Sequence, residues 1–158
     1  MSRKSRPLMA AVGAASAAIA LAVAPAPAQA ATPDLISCYA AGCDPYLAAQ
    51  TTCVDDAEVI YAVNIYDGSK VVGNIELKYS PSCRTTWARV ISDLGYGSYA
   101  QIASNGNSNL WSSCNGSNTA GTGCNTYMID DLAPLTSWAF GGLYDSSGNN
   151  YDEMTASF

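Results

Sequence analysis

Alternation of apolar and polar side chains dominates the middle of the chain and predicts β-structure. Residues 59–66 alternate with a period of two, which gives one predicted apolar face: Val59, Tyr61, Val63 and Ile65. An Asp-Gly-Ser turn signal follows at 67–69, and residues 71–79 then alternate again. We therefore expect a β-hairpin with one face in a core and one face in water.

Shorter β-like segments continue to the end of the chain. Residues 83–91 predict a third strand that places Cys83, Trp87 and Arg89 on one face. Further strands are predicted at 99–104, 109–113 and 125–129, before a hairpin of 137–144 and 150–158 in which Trp138 and Phe140 share a face. A short helical turn is predicted at 50–56. The pattern indicates an all-β fold, a small disulfide-stapled antiparallel β-barrel or β-sandwich.

The first thirty residues have the organisation of a secretory signal peptide. Arg3, Lys4 and Arg6 precede an alanine-rich apolar run, and Ala28-Gln29-Ala30 has the small side chains that signal peptidase requires. We expect residues 1–30 to be removed and residues 31–158 to form a single secreted β domain. No second apolar segment follows, so no membrane association is expected after cleavage.

The mature part of the chain is strongly acidic. It holds all thirteen Asp and Glu residues against four basic ones, a net charge of −9. The basic residues are Lys70, Lys78, Arg84 and Arg89. Such a charge leaves no electrostatic footprint for nucleic acid and would suit a cationic partner or metal, although a solvated acidic surface is the preferred interpretation. The partners that we expect are a cell-wall or extracellular polysaccharide or a protein.

Six cysteines, all in the mature part, predict three disulfides in an oxidising compartment. Their spacing favours Cys114–Cys124. For the remaining four, Cys38–Cys43 with Cys53–Cys83 is the preferred pairing, and crossed pairings stay open. A zinc site is the rival interpretation, but the chain has neither a CxxC pair nor a histidine.

The absence of histidine removes most catalytic chemistry. Serine and cysteine triads and histidine-based metal sites are excluded, and paired cysteines leave no thiolate nucleophile. No cofactor motif is present, and we assign no catalytic residue. Only a carboxylate pair remains, as in glycoside hydrolases, and the spacing singles out none of the candidates. These are Glu76 with Asp93, or a set of Asp55, Asp56 and Glu58.

Two further groups of polar residues have a functional and a structural interpretation. The segment 145–153 places Asp145, Asn149 and Asp152 around a glycine, which suits either a weak calcium site or a plain hairpin turn. Arg84 and Arg89 suit either anion recognition or, beside Trp87, a cation–π or ion-pair contact at the edge of the core. The structural interpretation is preferred for both groups.

The residues around the third strand resemble a known family. The run 80–90 has the form SPxCRxxWARV, and with the segments 38–45 and 53–57 it is similar to the YjfA-like secreted domain. That family has no known function and occurs in exported proteins of Gram-positive bacteria and on some helix-turn-helix regulators. The resemblance covers residues 38–158. It implies a β domain in which the signature residues have a structural role, and the family has no established catalytic residues that could be assigned to this chain. The signature residues are Tyr79, Pro81, Cys83, Arg84, Trp87 and Arg89.

The sequence favours a non-catalytic extracellular or cell-envelope module that binds a ligand or has a structural role. A polysaccharide-binding module would use aromatic side chains near Asn-rich loops, with Tyr96, Tyr99 and Trp111 as candidates. One alternative is a secreted protease inhibitor that presents the loop closed by Cys114–Cys124. A carboxylate-dependent glycoside hydrolase is the other.

Overall fold

Two antiparallel sheets form the body of the computed structural model, which describes residues 34–158. Its strands are β1 Glu58–Asp67, β2 Lys70–Ser80, β3 Thr85–Ser92, β4 Gly97–Ser104, β5 Trp111–Gly116, β6 Thr122–Asn125, β7 Ile129–Asp130, β8 Ser137–Tyr144 and β9 Asn150–Met154. The first sheet has the order β1-β2-β3-β6, with β7 also on β3, and the second has the order β5-β4-β8-β9. The all-β prediction is confirmed, and the architecture is the sandwich, since the sheets do not close into a barrel.

The predicted signal peptide, residues 1–30, lies outside the described residues, so its cleavage stays a prediction. Three short 3-10 turns, at Ala40–Cys43, Ala48–Gln50 and Thr52–Val54, are the helical elements between residues 34 and 158. None of them has the length or apolar character needed to cross a bilayer.

The inner faces of the two sheets form the main core. Alternate side chains of the central strands are fully buried there, because a strand presents every second residue to the same side. They include Ile75, Leu77, Ala88, Val90, Ile102 and Leu143. Each larger side chain contributes roughly 1.5–3 kcal/mol when it leaves water. Cys114 of β5 and Cys124 of β6 are bonded as predicted and link one sheet to the other.

The predicted hairpin of β1 and β2 is confirmed, but the predicted inward face of β1 is partly wrong. Register shifts occur between Val59 and Tyr61 and between Ile65 and Tyr66. The first shift places Val59 opposite Lys78, on the solvent side, whereas Ile65 is fully buried. A β-bulge adds one residue to one strand, and every side chain beyond it then changes face.

A tight turn replaces the predicted start of the third strand. β3 begins at Thr85, so Cys83 and Arg84 are turn residues, and Arg84 has a φ of 56°, in the left-handed region. Asp56 holds this turn from outside the sheet: its carboxylate accepts hydrogen bonds from Ser80 Oγ at 2.5 Å and from the Ser82 N–H at 2.8 Å. The turn places the Cys83 sulfur beside Trp87, as the alternation predicted, although Cys83 lies outside the strand.

A second, smaller core lies on the outer face of the first sheet. Residues 38–54 cover that face, and Trp87 beneath them is only 2% exposed. Two disulfides with the preferred pairing, Cys38–Cys43 and Cys53–Cys83, hold this covering segment in place. The backbone N–H of Ala40 also donates to the Cys83 carbonyl at 2.7 Å. The signature residues Cys83 and Trp87 therefore both lie in this second core.

Buried acidic groups lie at one end of the sandwich, near the β2–β3 turn. The Asp131 side chain is 6% exposed, its Oδ1 has no hydrogen-bond partner, and its N–H donates to the Arg84 carbonyl. Burial raises the pKa of Asp131 to about 6. The half-buried Asp44 is similar, since burial first and the Asp130 charge in addition raise its pKa to about 6.

Removing the contacts of the second core is expected to cost several kcal/mol. Trp87→Ala should lower the free energy of unfolding by about 3–5 kcal/mol, because it leaves a large cavity under the covering segment. The double variant Cys53→Ser/Cys83→Ser should lower it by about 2–5 kcal/mol. Urea unfolding followed by circular dichroism measures both. Trp111→Ala is the control, since Trp111 is 58% exposed, and equal unfolding of Trp87→Ala and the wild type would contradict the buried role of Trp87.

The unfolding free energy is expected to fall between about pH 4 and pH 6. The folded-state pKa of Asp131 lies above its usual 3.8, so the folded chain binds the proton more tightly than the unfolded chain does. This contribution, on the order of 2–3 kcal/mol, is complete below pH 4 and is lost as the pH rises through about 6. Asp131→Asn should make the unfolding free energy depend less on pH. Asp44 accounts for the pH dependence that remains.

Urea titrations at pH 4, 5, 6 and 7 measure this effect. The exposed Asp55 provides the matched control, because Asp55→Asn removes a carboxylate without touching the buried end of the sandwich. If the Asp131→Asn and wild-type curves have the same pH dependence, the buried carboxyl is not its source.

Candidate binding site around Trp111

The outer face of the second sheet carries aromatic side chains in water. Outward-facing positions of β4 lie opposite outward-facing positions of both neighbours: Gln101 is paired with Phe140 of β8 and with Ser113 of β5, and Ala103 with Trp138 and Trp111. The inward positions between them are buried in the main core. Four aromatic residues therefore share one solvent-facing surface: Tyr99, Trp111, Trp138 and Phe140.

Trp111 is the most exposed of these aromatic residues, with 58% of its surface in contact with solvent. It begins β5, an edge strand, and its partner Ala103 is too small to cover the indole ring. A groove of about 290 Å³ lies beside it, lined by Tyr99, Gln101 and Phe140 among others. Trp111 thus forms one wall of a concave, partly apolar surface.

The phenol of Tyr99 is held in place within this groove. Its hydroxyl donates a hydrogen bond to the Asp152 carboxylate on β9, and its ring centroid lies 6.0 Å from that of Phe140. Burial, and then this hydrogen bond and the Asp152 charge, raise the pKa of Tyr99 far above its usual value. The phenol stays neutral at physiological pH and presents a fixed ring to the groove.

A second cavity of about 180 Å³ is also lined by Trp111. Its lining includes Tyr127, Asn109 and Asp44. Tyr127 is 48% exposed, and its backbone N–H donates to Ser112 Oγ at 3.0 Å, which ties this loop to β5. Asp44 Oδ1 is buried without a hydrogen-bond partner. This cavity therefore combines two aromatic rings, an amide and a carboxyl group with unused hydrogen-bonding capacity.

The sequence identified this site in part. Tyr99 and Trp111 were predicted as binding aromatics, and both line it. Tyr96 does not belong to it, since it is half-buried, packs against the main core and stacks on Tyr151 with ring centroids 6.0 Å apart. Alternation placed Trp138 and Phe140 on one face without showing that the face is in water. Asp44 and Tyr127 had no local signal, because they approach Trp111 only through the fold.

The remaining signature residues lie away from Trp111. The Tyr79 ring packs on Phe158 with ring centroids 4.9 Å apart. Arg89 forms an ion pair with Glu76, with 3.8 Å between Nη1 and Oε2. Lys78 lies over the Trp87 ring, with its Nζ 5.8 Å from the centroid, so the cation–π partner of Trp87 is Lys78 and not Arg89.

The candidate calcium ligands do not converge on one point. Asp145 accepts hydrogen bonds from the N–H groups of Ser147 and Asn149 at 2.8 and 2.9 Å, and from the Asn149 amide at 2.9 Å. These bonds lower its pKa. The carboxylate is therefore surrounded by N–H donors, as in a turn. A calcium site instead brings several oxygen atoms together around the cation. Asp152 instead accepts from Tyr99.

The candidate carboxylate pairs are also separated. Glu76 lies on the outer face of β2, whereas the N–H of Asp93 donates to the Val72 carbonyl, four residues along the strand. At 3.3 Å per residue this is about 13 Å, beyond the ~5–9.5 Å between catalytic carboxyls in glycoside hydrolases. In the other candidate set, Asp56 is engaged by Ser80 and Ser82.

The loop closed by Cys114–Cys124 is exposed between β5 and β6. Residues 117–121 form its tip, where the Thr119 carbonyl accepts a hydrogen bond from the Thr122 N–H at 3.1 Å and Gly121 has a φ of 76°. This is a compact turn, whereas a protease inhibitor presents an extended strand to the enzyme.

Comparison with known proteins agrees with the predicted family. A family model described as "Protein of unknown function (DUF2690)" matches residues 38–140. The uncharacterized protein YjfA of Bacillus subtilis (strain 168) is 32% identical over 116 residues, which is 67% of this chain and 73% of the relative. No solved structure matches the chain. Since the family model covers more than half of the sequence, the chain belongs to the YjfA-like family of proteins of unknown function (DUF2690).

Proposed function

We propose that the mature chain is a secreted, non-catalytic module that binds neutral glycans of a cell envelope, with Trp111 at the centre of the site. One observation carries the proposal. Trp111 is 58% exposed and lines two concavities, and each of them adds another aromatic ring and polar side chains. Exposed aromatic side chains grouped beside a concave surface mark a ligand-binding groove.

The chemistry of the two concavities suits a sugar ring. A pyranose has an apolar face of C–H groups and a rim of hydroxyl groups. Trp111, Tyr99 and Tyr127 offer flat apolar rings, and the side chains of Gln101 and Asn109 offer amides that can both donate and accept. The net charge of −9 in the mature part favours a neutral glycan over an acidic one.

The number of carboxyl groups in the two concavities favours binding over hydrolysis. Cleavage of a glycosidic bond requires two carboxyl groups on opposite sides of that bond. Among the described residues that line the two concavities, Asp44 supplies the one carboxyl group. A single carboxyl group cannot supply both the acid and the nucleophile or base of such a reaction.

The extracellular location rests on two separate features. The leader at residues 1–30 has the pattern of a cleaved signal peptide. Three disulfides with no free cysteine suit an oxidising compartment, where such bonds persist.

Trp111→Ala is expected to abolish retention of the oxidised mature protein on its glycan. The test is a pull-down with insoluble cell wall and purified polysaccharides, followed by calorimetry with oligosaccharides of any material that retains the wild type. Loss of a central aromatic contact should weaken binding about tenfold or more, and Trp111→Phe should restore part of it. Tyr66→Ala, at an exposed aromatic on the first sheet, should bind as the wild type does.

Two outcomes of this experiment would overturn the proposal. Equal retention of Trp111→Ala and the wild type would show that the glycan does not bind at Trp111. No retention on any wall or polysaccharide material would contradict glycan binding altogether, and a panel of proteases would then test the exposed loop at 117–121.

Removal of calcium is expected to leave glycan retention unchanged. The Asp145 carboxylate is already satisfied by N–H donors of its own turn and has no arrangement of oxygen ligands around it. The pull-down repeated with excess chelator and with added calcium measures this. Retention that requires calcium would show that the turn rearranges to bind a cation.

A further inference from the structure

A cavity of about 220 Å³ lies on the outer face of the first sheet, against the segment that covers Trp87. It is separate from the Trp111 site, which is on the second sheet. Two of the four basic residues of the mature chain, Lys78 and Arg89, line this one cavity. In a chain with thirteen acidic residues, this concentration of positive charge is the feature that requires explanation.

Strand register brings these residues together on one face. Lys78 of β2 is paired with Trp87 of β3, and Arg89, two residues further along β3, is paired with Asn125 of β6. Residues two apart on a strand point the same way, so an ammonium, an indole, a guanidinium and an amide form a diagonal row across three strands. All four side chains line the cavity.

The positive charge of the row is only partly neutralised. Glu76 is the carboxylate nearest to Arg89, but its distance of 3.8 Å is that of a loose ion pair, and Glu76 also accepts a hydrogen bond from Asn74 Nδ2. The Arg89 side chain is 42% exposed, which leaves guanidinium N–H donors available. Two cations against one carboxylate leave a local charge of about +1 at the cavity, with the Asn125 amide as a further donor.

The opposite wall of the cavity is apolar. Leu47, Ala48 and Val54 of the covering segment supply it, and Trp87 adds ring surface between the two walls. A ligand that suits both walls has an oxyanion on one side and a small apolar group on the other. Inorganic anions would satisfy only the cationic row.

We propose that this cavity binds a small organic oxyanion, a carboxylate or a phosphate ester, that carries a short apolar substituent. Lys78 and Arg89 bind the oxyanion, Asn125 donates to it, and the substituent contacts Leu47 and Val54. The site is independent of glycan binding at Trp111, and Trp111→Ala should leave it intact.

The test is a titration of the isotope-labelled, oxidised mature protein followed by NMR, with the Trp87 indole N–H and the Asn125 amide as reporters. Three probes separate the contributions: N-acetylalanine, n-propyl phosphate and inorganic phosphate. The uncharged N-acetylalanine amide is the matched ligand control. One or both organic anions should shift the two reporters with saturation, and which one binds more tightly identifies the oxyanion.

Matched variants localise the binding. Lys78→Gln and Arg89→Gln should each weaken binding of the better probe about tenfold or more, because each loses one charge-assisted hydrogen bond. Lys70→Gln removes an exposed cation at the start of β2 and should have no effect. Lys78→Gln alone decides the matter if Arg89→Gln unfolds because Glu76 loses its partner. Equal binding of the amide, unchanged binding by Lys78→Gln, or the absence of saturable shifts would overturn the anion site. Tighter binding of inorganic phosphate than of both organic probes would overturn the role of the apolar wall.

Discussion

The burial of Trp87 beneath residues 38–54 is the contact on which the outer face of the first sheet depends. The covering segment contains only three short 3-10 turns, whose hydrogen bonds are local and too few to hold a fixed structure alone. Its position is set instead by the indole it covers, by the Cys53–Cys83 bond and by the hydrogen bond from Met128 to the Tyr46 carbonyl. The same contact creates the cavity beside Lys78, because the apolar wall belongs to the covering segment.

Local patterns predicted the strands well wherever the hydrogen-bonding partner is also local. The two hairpins, β1–β2 and β8–β9, were located within a few residues, since each consists of an alternating run, a turn and another alternating run. The predicted strand at 125–129 is wrong, since it spans the break between β6, which ends at Asn125, and β7, which begins at Ile129; both of these strands pair with β3. Such a break depends on a distant partner. So do the bulges of β1, which alternation alone cannot detect.

The sites were harder to predict than the strands, because a period of two defines two faces and does not say which one is buried. Trp138 and Phe140 share a face as predicted, and in this sandwich that face is the outer one, where both side chains are half-buried. Trp87 shows the opposite case, since it lies on an outer face and is nevertheless buried. Both outcomes depend on what covers each sheet, and that is decided by residues far away in the chain. Cysteine spacing was more informative, since short loops restricted the pairings.

The edges of the two sheets have a consequence for self-association. An unpaired edge strand offers a row of backbone N–H and C=O groups to which another molecule can add. On one flank the edge strands β5 and β6 are cross-linked by Cys114–Cys124, and on the other β1 is interrupted by two register shifts and ends in Glu58 and Asp67. Bulges and like charges prevent the regular strand-by-strand growth from which fibrils form. Addition of a further strand is thereby disfavoured at β1, β5 and β6.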